Sequence, residues 1–309
     1  MSRAGPKALL AVFALACAVA APDGLAQAQT PAPDTAARIN LGGRGWSNPE
    51  PARDGTKSET GPFQLSAKFG VASDYIYRGT TLSARQPAAG AGVEATYGWL
   101  YAGITAATVK LPTQPSAEYS FSGGLRPSIG NFDFDLGVIY FSYPSETPGS
   151  PGIDYYEASF RTDVNLGEHW RAAGGFAYSP DVSNTGAWGW YAAAGIGYQV
   201  PAHRIPLNVD VIFSAAAGYS WFGRQSLMLG GFELPAYLNW QAGVTFTHKF
   251  LNLDLRYHDT NLSKENCFVF TGDPGARPGG RPDPITNPGG LMSRWCSPAF
   301  VAKVFFEFN

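Results

Sequence analysis

The chain has 309 residues, of which 15% are charged and 14% aromatic, with 37 glycines and a formal net charge of −2. That balance excludes a nucleic-acid partner, which calls for a basic surface, and the aromatic and glycine loading favours strands over helices. A mean hydropathy of −0.11 does not exclude a membrane protein, because a transmembrane barrel alternates its faces and needs no long apolar run.

Taken in chain order, the first segment has the form of an export signal. Arg3 and Lys7 give a basic start, Ala8 to Ala21 an apolar stretch, and Ala26-Gln27-Ala28 a small-x-small cleavage site. The apolar stretch is shorter than the ~20 residues a membrane helix needs, so residues 1–28 are expected to be removed. Cys17 lies in ALAC, which admits a lipidated N-terminus; against it, Ala14 stands where leucine is usual. Residues 29–61 are rich in Pro, Ala, Asp, Gly and Arg without periodicity, which predicts a disordered periplasmic segment. A plug or a peptidoglycan contact there has only Trp46, Arg38, Arg44 and Arg53 in its favour.

From residue 62 to 309 apolar and polar residues alternate with period two, the mark of strands. Asp133 and Asp135 alternate with Phe132, Phe134 and Leu136, and Asn252, Asp254, Arg256 and His258 with Leu251, Leu253, Leu255 and Tyr257. About twelve strands are predicted, over 64–78, 86–97, 99–110, 117–127, 131–143, 154–166, 169–179, 188–200, 206–217, 236–248, 250–261 and 298–308. Their connections alternate between short turns, such as Gly98, Gly167-Glu168 and Lys249, and long loops, the longest from Leu262 to Ser297. A soluble sandwich has no reason to sort its loops by length. An antiparallel up-and-down barrel in the bacterial outer membrane does, with the short turns in the periplasm.

Charge parity supports the same fold. Within each strand the charged residues share one face, and the other carries residues such as Leu65, Phe69, Val71, Phe213, Val304 and Phe306. A Lys or Arg at mid-bilayer costs ~2–4 kcal/mol, which is the reason for the sorting. The expected pore-lining residues are Lys68, Asp74, Arg78, Glu94, Lys110, Glu118, Arg126, Asp133, Asp135, Glu157, Arg161, Asp163, Arg171, Asp210, Asp254, Arg256, His258, Lys303 and Glu307. Small residues predicted to face inward, among them Gly90, Gly92, Ala102, Ala106, Ala173, Gly175, Ala177, Ala193, Gly195 and Gly197, leave room along one wall. Twelve strands are intermediate between a filled barrel and an open channel, so the charges could line an aqueous path or pair off and close it. Tyr75, Tyr77, Trp99, Tyr101, Tyr143, Trp170, Trp188, Trp190, Tyr219, Trp221, Tyr237 and Trp240 fall near strand ends and are expected at headgroup level.

Residues 73–104, SDYIYRGTTLSARQPAAGAGVEATYGWLYAGI, resemble the opening of the proteobacterial TorF family of porins, with its Ser-Asp-Tyr, Arg-Gly and Gln-x-Pro ahead of a Gly-rich strand and a short aromatic turn. The likeness weakens in the middle of the chain and returns around YHDTNLSKENC. It implies an outer-membrane barrel without naming a substrate. The last strand, with Phe300, Ala302, Val304, Phe306 and Phe308 in alternation, resembles the end strand that barrel-assembly machinery receives, although Asn309 follows it.

Cys267 and Cys296 share the longest loop, on the side where a disulfide persists; two cysteines without nearby His or acidic partners make a poor zinc site. His258-Asp259-Thr260-Asn261 resembles the His-x-Ser-Asn arrangement of outer-membrane lipid A deacylases, but Thr260 replaces the serine and parity turns His258 to the lumen. The expectation is therefore a porin for passive diffusion of small hydrophilic solutes, a non-enzyme without cofactor or metal, meeting outer-membrane lipids and the assembly machinery. A sealed structural or adhesive barrel and a lipid-modifying enzyme are the alternatives.

Overall fold

The computed structural model describes residues 39–41, 63–150, 152–201, 205 and 209–308. The expected signal peptide and most of the expected disordered segment lie outside the described residues.

Twelve long strands form the barrel: β1 (Phe63–Ala72), β2 (Ala88–Tyr97), β3 (Leu100–Ala107), β4 (Glu118–Leu125), β5 (Phe132–Ser142), β6 (Tyr155–Asn165), β7 (Trp170–Ser179), β8 (Gly189–Gln199), β9 (Asp210–Phe222), β10 (Tyr237–His248), β11 (Leu251–Thr260) and β12 (Ala299–Phe308). Each pairs antiparallel with its sequence neighbours, and β12 returns to β1 in a register running from Ala67↔Phe308 to Ala72↔Lys303. Closure leaves no strand edge, so every ladder is satisfied within the ring. A two-residue bridge, Ser128–Ile129, adds a pairing at the foot of β5. No helix among the described residues is long and apolar enough to cross a membrane; the crossing is by strands.

Short turns at one end rest on residues able to take positive φ: Gly98 at 59° and Gly167 at 88°, with Lys249 at 55° doing the same without glycine. Strand boundaries depart most from the alternation in β1, β3 and β9; β3 stops at Ala107. β1 ends at Ala72 rather than running to Arg78, because residues beyond it fold inward, closed by a small hairpin in which Ile76–Tyr77 pairs with Thr80–Thr81. β9 starts later and runs further than expected, from Asp210 to Phe222.

The outer surface is apolar. Leu65, Val71, Phe213 and Phe300 are each more than half exposed, and rings stack across strands, as in Phe69 on Phe306 at 5.3 Å and Phe250 on Phe308 at 5.5 Å. Tyr97, Trp99 and Trp170 ring the short-turn end, and Tyr119, Trp188 and Tyr219 the other, all exposed. These are the two aromatic girdles of a barrel seated in a bilayer.

The loop from 261 to 298 folds over the long-loop mouth. Its helix α1 (Lys264–Thr271) is capped by the Ser263 side chain, which accepts from Asn266 N–H, and ends at Gly272 in the left-handed region. A disulfide joins Cys267 to Cys296 with Cα atoms 5.8 Å apart, as the shared loop led one to expect. Phe270 on α1 packs against Phe222 and Tyr237, both ring pairs at 5.3 Å, tying the cap to the wall below.

Candidate functional site: a charged lumen with an inward-folded loop

The contacts of the charged lumen residues follow from strand parity plus one loop. Residues 73–87 turn into the barrel and are held there by Asp74. Its Oδ1 accepts from the Thr81 hydroxyl at 2.5 Å and the Ser83 hydroxyl at 2.9 Å, while burial still pushes its carboxyl above the usual range against those hydrogen bonds. Arg85 anchors the same loop to the cap by donating to the carbonyls of Arg294, Ser297 and Pro298. Thr81 N–H donates to Trp295 O.

At the tip of this loop, Arg78 (φ 47°) and Gly79 (φ 81°) take left-handed backbone. Glycine is required at the second: a Cβ there would come within 2.4 Å of Thr260 Cγ2 on β11. The turn sends Arg78 across to β6, where Nη1 and Nη2 meet the two oxygens of Glu157 at 3.0 and 2.7 Å. The guanidinium lies between the rings of Tyr77 and Tyr191, at 4.5 and 4.3 Å from their centroids. Tyr77 also donates to Glu157, and Tyr75 and Tyr143 donate to the two oxygens of Glu118 at 2.8 and 2.7 Å. This layer carries the folded loop across the lumen to Glu118 and Glu157.

Nearer the short turns, Arg126 joins β2 to β5. It donates to Glu94 through both Nη atoms and to Asp135 through Nε at 2.9 Å, and stacks on Tyr101 at 3.7 Å; Tyr101 donates to the same Asp135. Elsewhere Arg161 forks onto Asp163, and Arg256 onto Asp254 with Ser214 as a further acceptor. Lys68 and Lys303 both lie 4.5 Å from the Phe305 ring. Asp133 accepts from Ser128, and Arg171 donates to Asn165. Glu307 and Asp210 keep the inward parity, opposite Lys68 and Thr247 respectively. Of the charged residues expected in the lumen, Lys110 alone is displaced. β3 stops at Ala107, and Lys110 is exposed in the following loop, its N–H donating to Leu82 O ahead of Pro112. Asp74 and Arg78 reach the lumen from the folded loop rather than from a strand.

Two groups were misplaced by sequence. Tyr75, Tyr101, Tyr143 and Tyr237, expected at headgroup level, are buried in the interior. Parity could have found three of them: Tyr101 shares its face with Thr105, Tyr143 with Phe141 and Asp135, Tyr237 with Asn239 and Gln241. Ala102 and Ala106, expected inward, pair with outward Ala95 and Ala91 on the lipid face. Gly90 and Gly92 keep the inward parity of β2, and Ala173, Gly175, Ala177, Ala193, Gly195 and Gly197 form a shallow wall on β7 and β8, but it is occupied. Ile39 and Leu41, placed by sequence in the disordered segment, are buried against Ala173, Ala193 and Ala216.

His258 and Thr260 both face inward, and the Thr260 hydroxyl donates to Cys296 O at 2.9 Å. That ties it to the cap rather than presenting it to a lipid. Among the described residues no three His, Cys, Asp or Glu side chains gather as metal ligands.

A closed antiparallel barrel with an apolar belt, two aromatic girdles and inward charges is a bacterial outer-membrane barrel. The chain belongs to the Gcw_chp family, described as bacterial protein of unknown function, which matches residues 56–277. Among solved structures the chain is similar to the KdgM porin, at 7% identity over 79% of this chain and 99% of that one, with a TM-score of 0.44. It is also similar to an outer-membrane channel from Pseudomonas putida F1, at 9% identity, 81% and 96% coverage and TM-score 0.40, and to the trimer form of OmpT, an outer-membrane protein of Vibrio cholerae, at 10%, 80% and 99%, and 0.35. No curated protein matches the chain by sequence.

Proposed function

We propose that the protein is a narrow outer-membrane channel for passive diffusion of small hydrophilic solutes, constricted by residues 73–87. The observation that carries this is a lumen whose length is lined by paired charges and hydroxyls. A barrel serving only as a scaffold is at least as stable with apolar filling, since buried ion pairs rarely out-stabilise well-packed hydrophobic residues. Pairs that rehydrate when a solute enters give a polar track with a selective field. The TorF likeness of residues 73–104 supports the same reading, because those residues include the constriction loop.

A sealed barrel is the second reading, favoured by tight burial: Glu94 is 1% and Glu118 2% exposed. Planar-bilayer recording separates the two. The purified barrel should conduct, and Arg78→Gln should move its reversal potential toward cations by removing a positive charge from the narrowest layer. Silence from correctly folded, heat-modifiable barrel would overturn the channel reading.

A further inference from the structure

The wall formed by β7–β9 carries Ala173, Ala193, Gly195, Gly197 and Ala216, and the chain's own residues 39–41 lie along it. Ile39 and Leu41 are 2% and 9% exposed, and a Cβ added to Gly197 would meet Ile39 Cγ1 at 3.3 Å. The backbone between them is read by side chains of the wall. Tyr191 donates to Leu41 O at 2.7 Å, and Gln241 Nε2 donates to Asn40 O at 2.6 Å. Gln241 is itself 4% exposed, and its Oε1 makes no hydrogen bond among the described residues, leaving a buried acceptor beside the segment. Two apolar shelves, two donors aimed at successive carbonyls and a spare acceptor for an N–H are the elements of peptide recognition.

We infer that this wall is a binding seat for a short extended peptide of apolar-polar-apolar pattern, and that residues 39–41 are its exchangeable occupant in cis. Exchange follows from the small size of the contact. Two buried side chains and two hydrogen bonds barely outweigh the ordering of three residues. The seat also touches the constriction, because the Tyr191 ring that supports Arg78 carries the hydroxyl bound to Leu41. Occupancy therefore narrows the pathway and braces its tightest layer. Only this last consequence rests on the channel reading.

The test of the seat does not need conductance. In I39C/G197C, mild oxidation of outer membranes should give a disulfide between the two new cysteines, mapped by peptide analysis. A synthetic peptide with the sequence of residues 37–43, on the order of millimolar to match an intramolecular competitor, should suppress it. Should that variant fail to insert, I39C/A173C serves, since Ala173 packs against Ile39. No cross-link, or a cross-link indifferent to excess peptide, overturns the seat. In bilayers I39D/L41D should raise single-channel conductance about twofold or more, and the added peptide should lower it again. A peptide-sensitive cross-link in a barrel that stays silent with and without the segment would leave the seat standing and sink the channel.

Discussion

The two halves of the lumen solve one problem in opposite ways. A twelve-stranded ring is wider than its own side chains fill without effort. On β2–β6 the wall fills it with long side chains of its own, Arg126 spanning Glu94 to Asp135 and Glu157 receiving Arg78 from the folded loop. Midway along β7–β9 inward positions shrink to alanine and glycine at Ala173, Ala193, Gly195, Gly197 and Ala216, and the space is taken by residues 39–41 from far up the chain. A charged wall is covalently part of what it fills, so emptying it costs barrel stability. The small-residue wall can be emptied without breaking a strand, which makes it the half where occupancy can change.

The largest expected effect tests that contrast. Arg126→Ala removes the guanidinium from two carboxylates whose side chains are 0% and 10% exposed, and breaking such a buried pair typically costs about 3–5 kcal/mol. Urea unfolding in detergent should show a lowered midpoint of that order. Replacing all three charges at once, R126M/E94Q/D135N, should recover most of it, because the desolvated charges leave together. I39D/L41D, by contrast, should leave the midpoint almost unmoved. An equal loss from both variants would erase the distinction between the walls.

The charged wall was legible in the sequence because a charge on one face of a strand fixes the parity of the whole strand, and Glu94, Arg126, Asp135, Glu157 and Asp254 fell where alternation put them. The lumen tyrosines were not, because an amphipathic ring near a strand end suits the headgroup as well as a carboxylate partner; Tyr101 and Tyr143 needed their parity weighed before their type. Residues 73–78 continued the alternation of β1, so nothing local marked the inward fold, which depends on Asp74 finding Thr81 and Ser83. Ile39 and Leu41 were hidden differently. A short apolar-polar-apolar stretch among prolines and arginines has no periodicity to report, and its meaning lies in a wall more than a hundred residues away.

A middle-sized effect asks whether the cap serves one wall or both. The Cys267–Cys296 disulfide closes a separation of 29 residues, worth about 3.6 kcal/mol on the chain-entropy account as an upper figure. The cap holds the constriction loop through Arg85 and Thr81, whereas Ile39 and Leu41 pack on the small-residue wall. Reduction, or C267S/C296S, should therefore speed hydrogen exchange at residues 73–87, and at the ends of β9 and β10 where Phe222 and Tyr237 meet Phe270, while exchange along β7 and β8 stays at its oxidised rate. Matching acceleration on the two sides would mean that the cap braces the whole mouth.

The smallest effect is one of pH, and its sign differs between neighbouring parts of the same end. Glu265 is held below its ordinary value of 4.5, first by its own backbone N–H and then by that of Arg281, and Asp283 below 3.8 by the N–H groups of Thr286 and Ile285. A carboxyl depressed in the folded state contributes order that is complete above its unfolded value and is lost as pH falls through the folded one. The outer part of the cap should thus loosen below about pH 4. Asp74 runs the other way. Burial raises it above 3.8, so the folded loop takes up its proton first and gains relative stability as pH falls through that raised value. Limited proteolysis with an acid-active protease should therefore cut within 273–290 at low pH while 73–87 stays protected, with the two regions equally resistant near neutrality. Cleavage at 73–87 first would show that the hydroxyls of Thr81 and Ser83 hold an ionised Asp74 and that the loop depends on its charge.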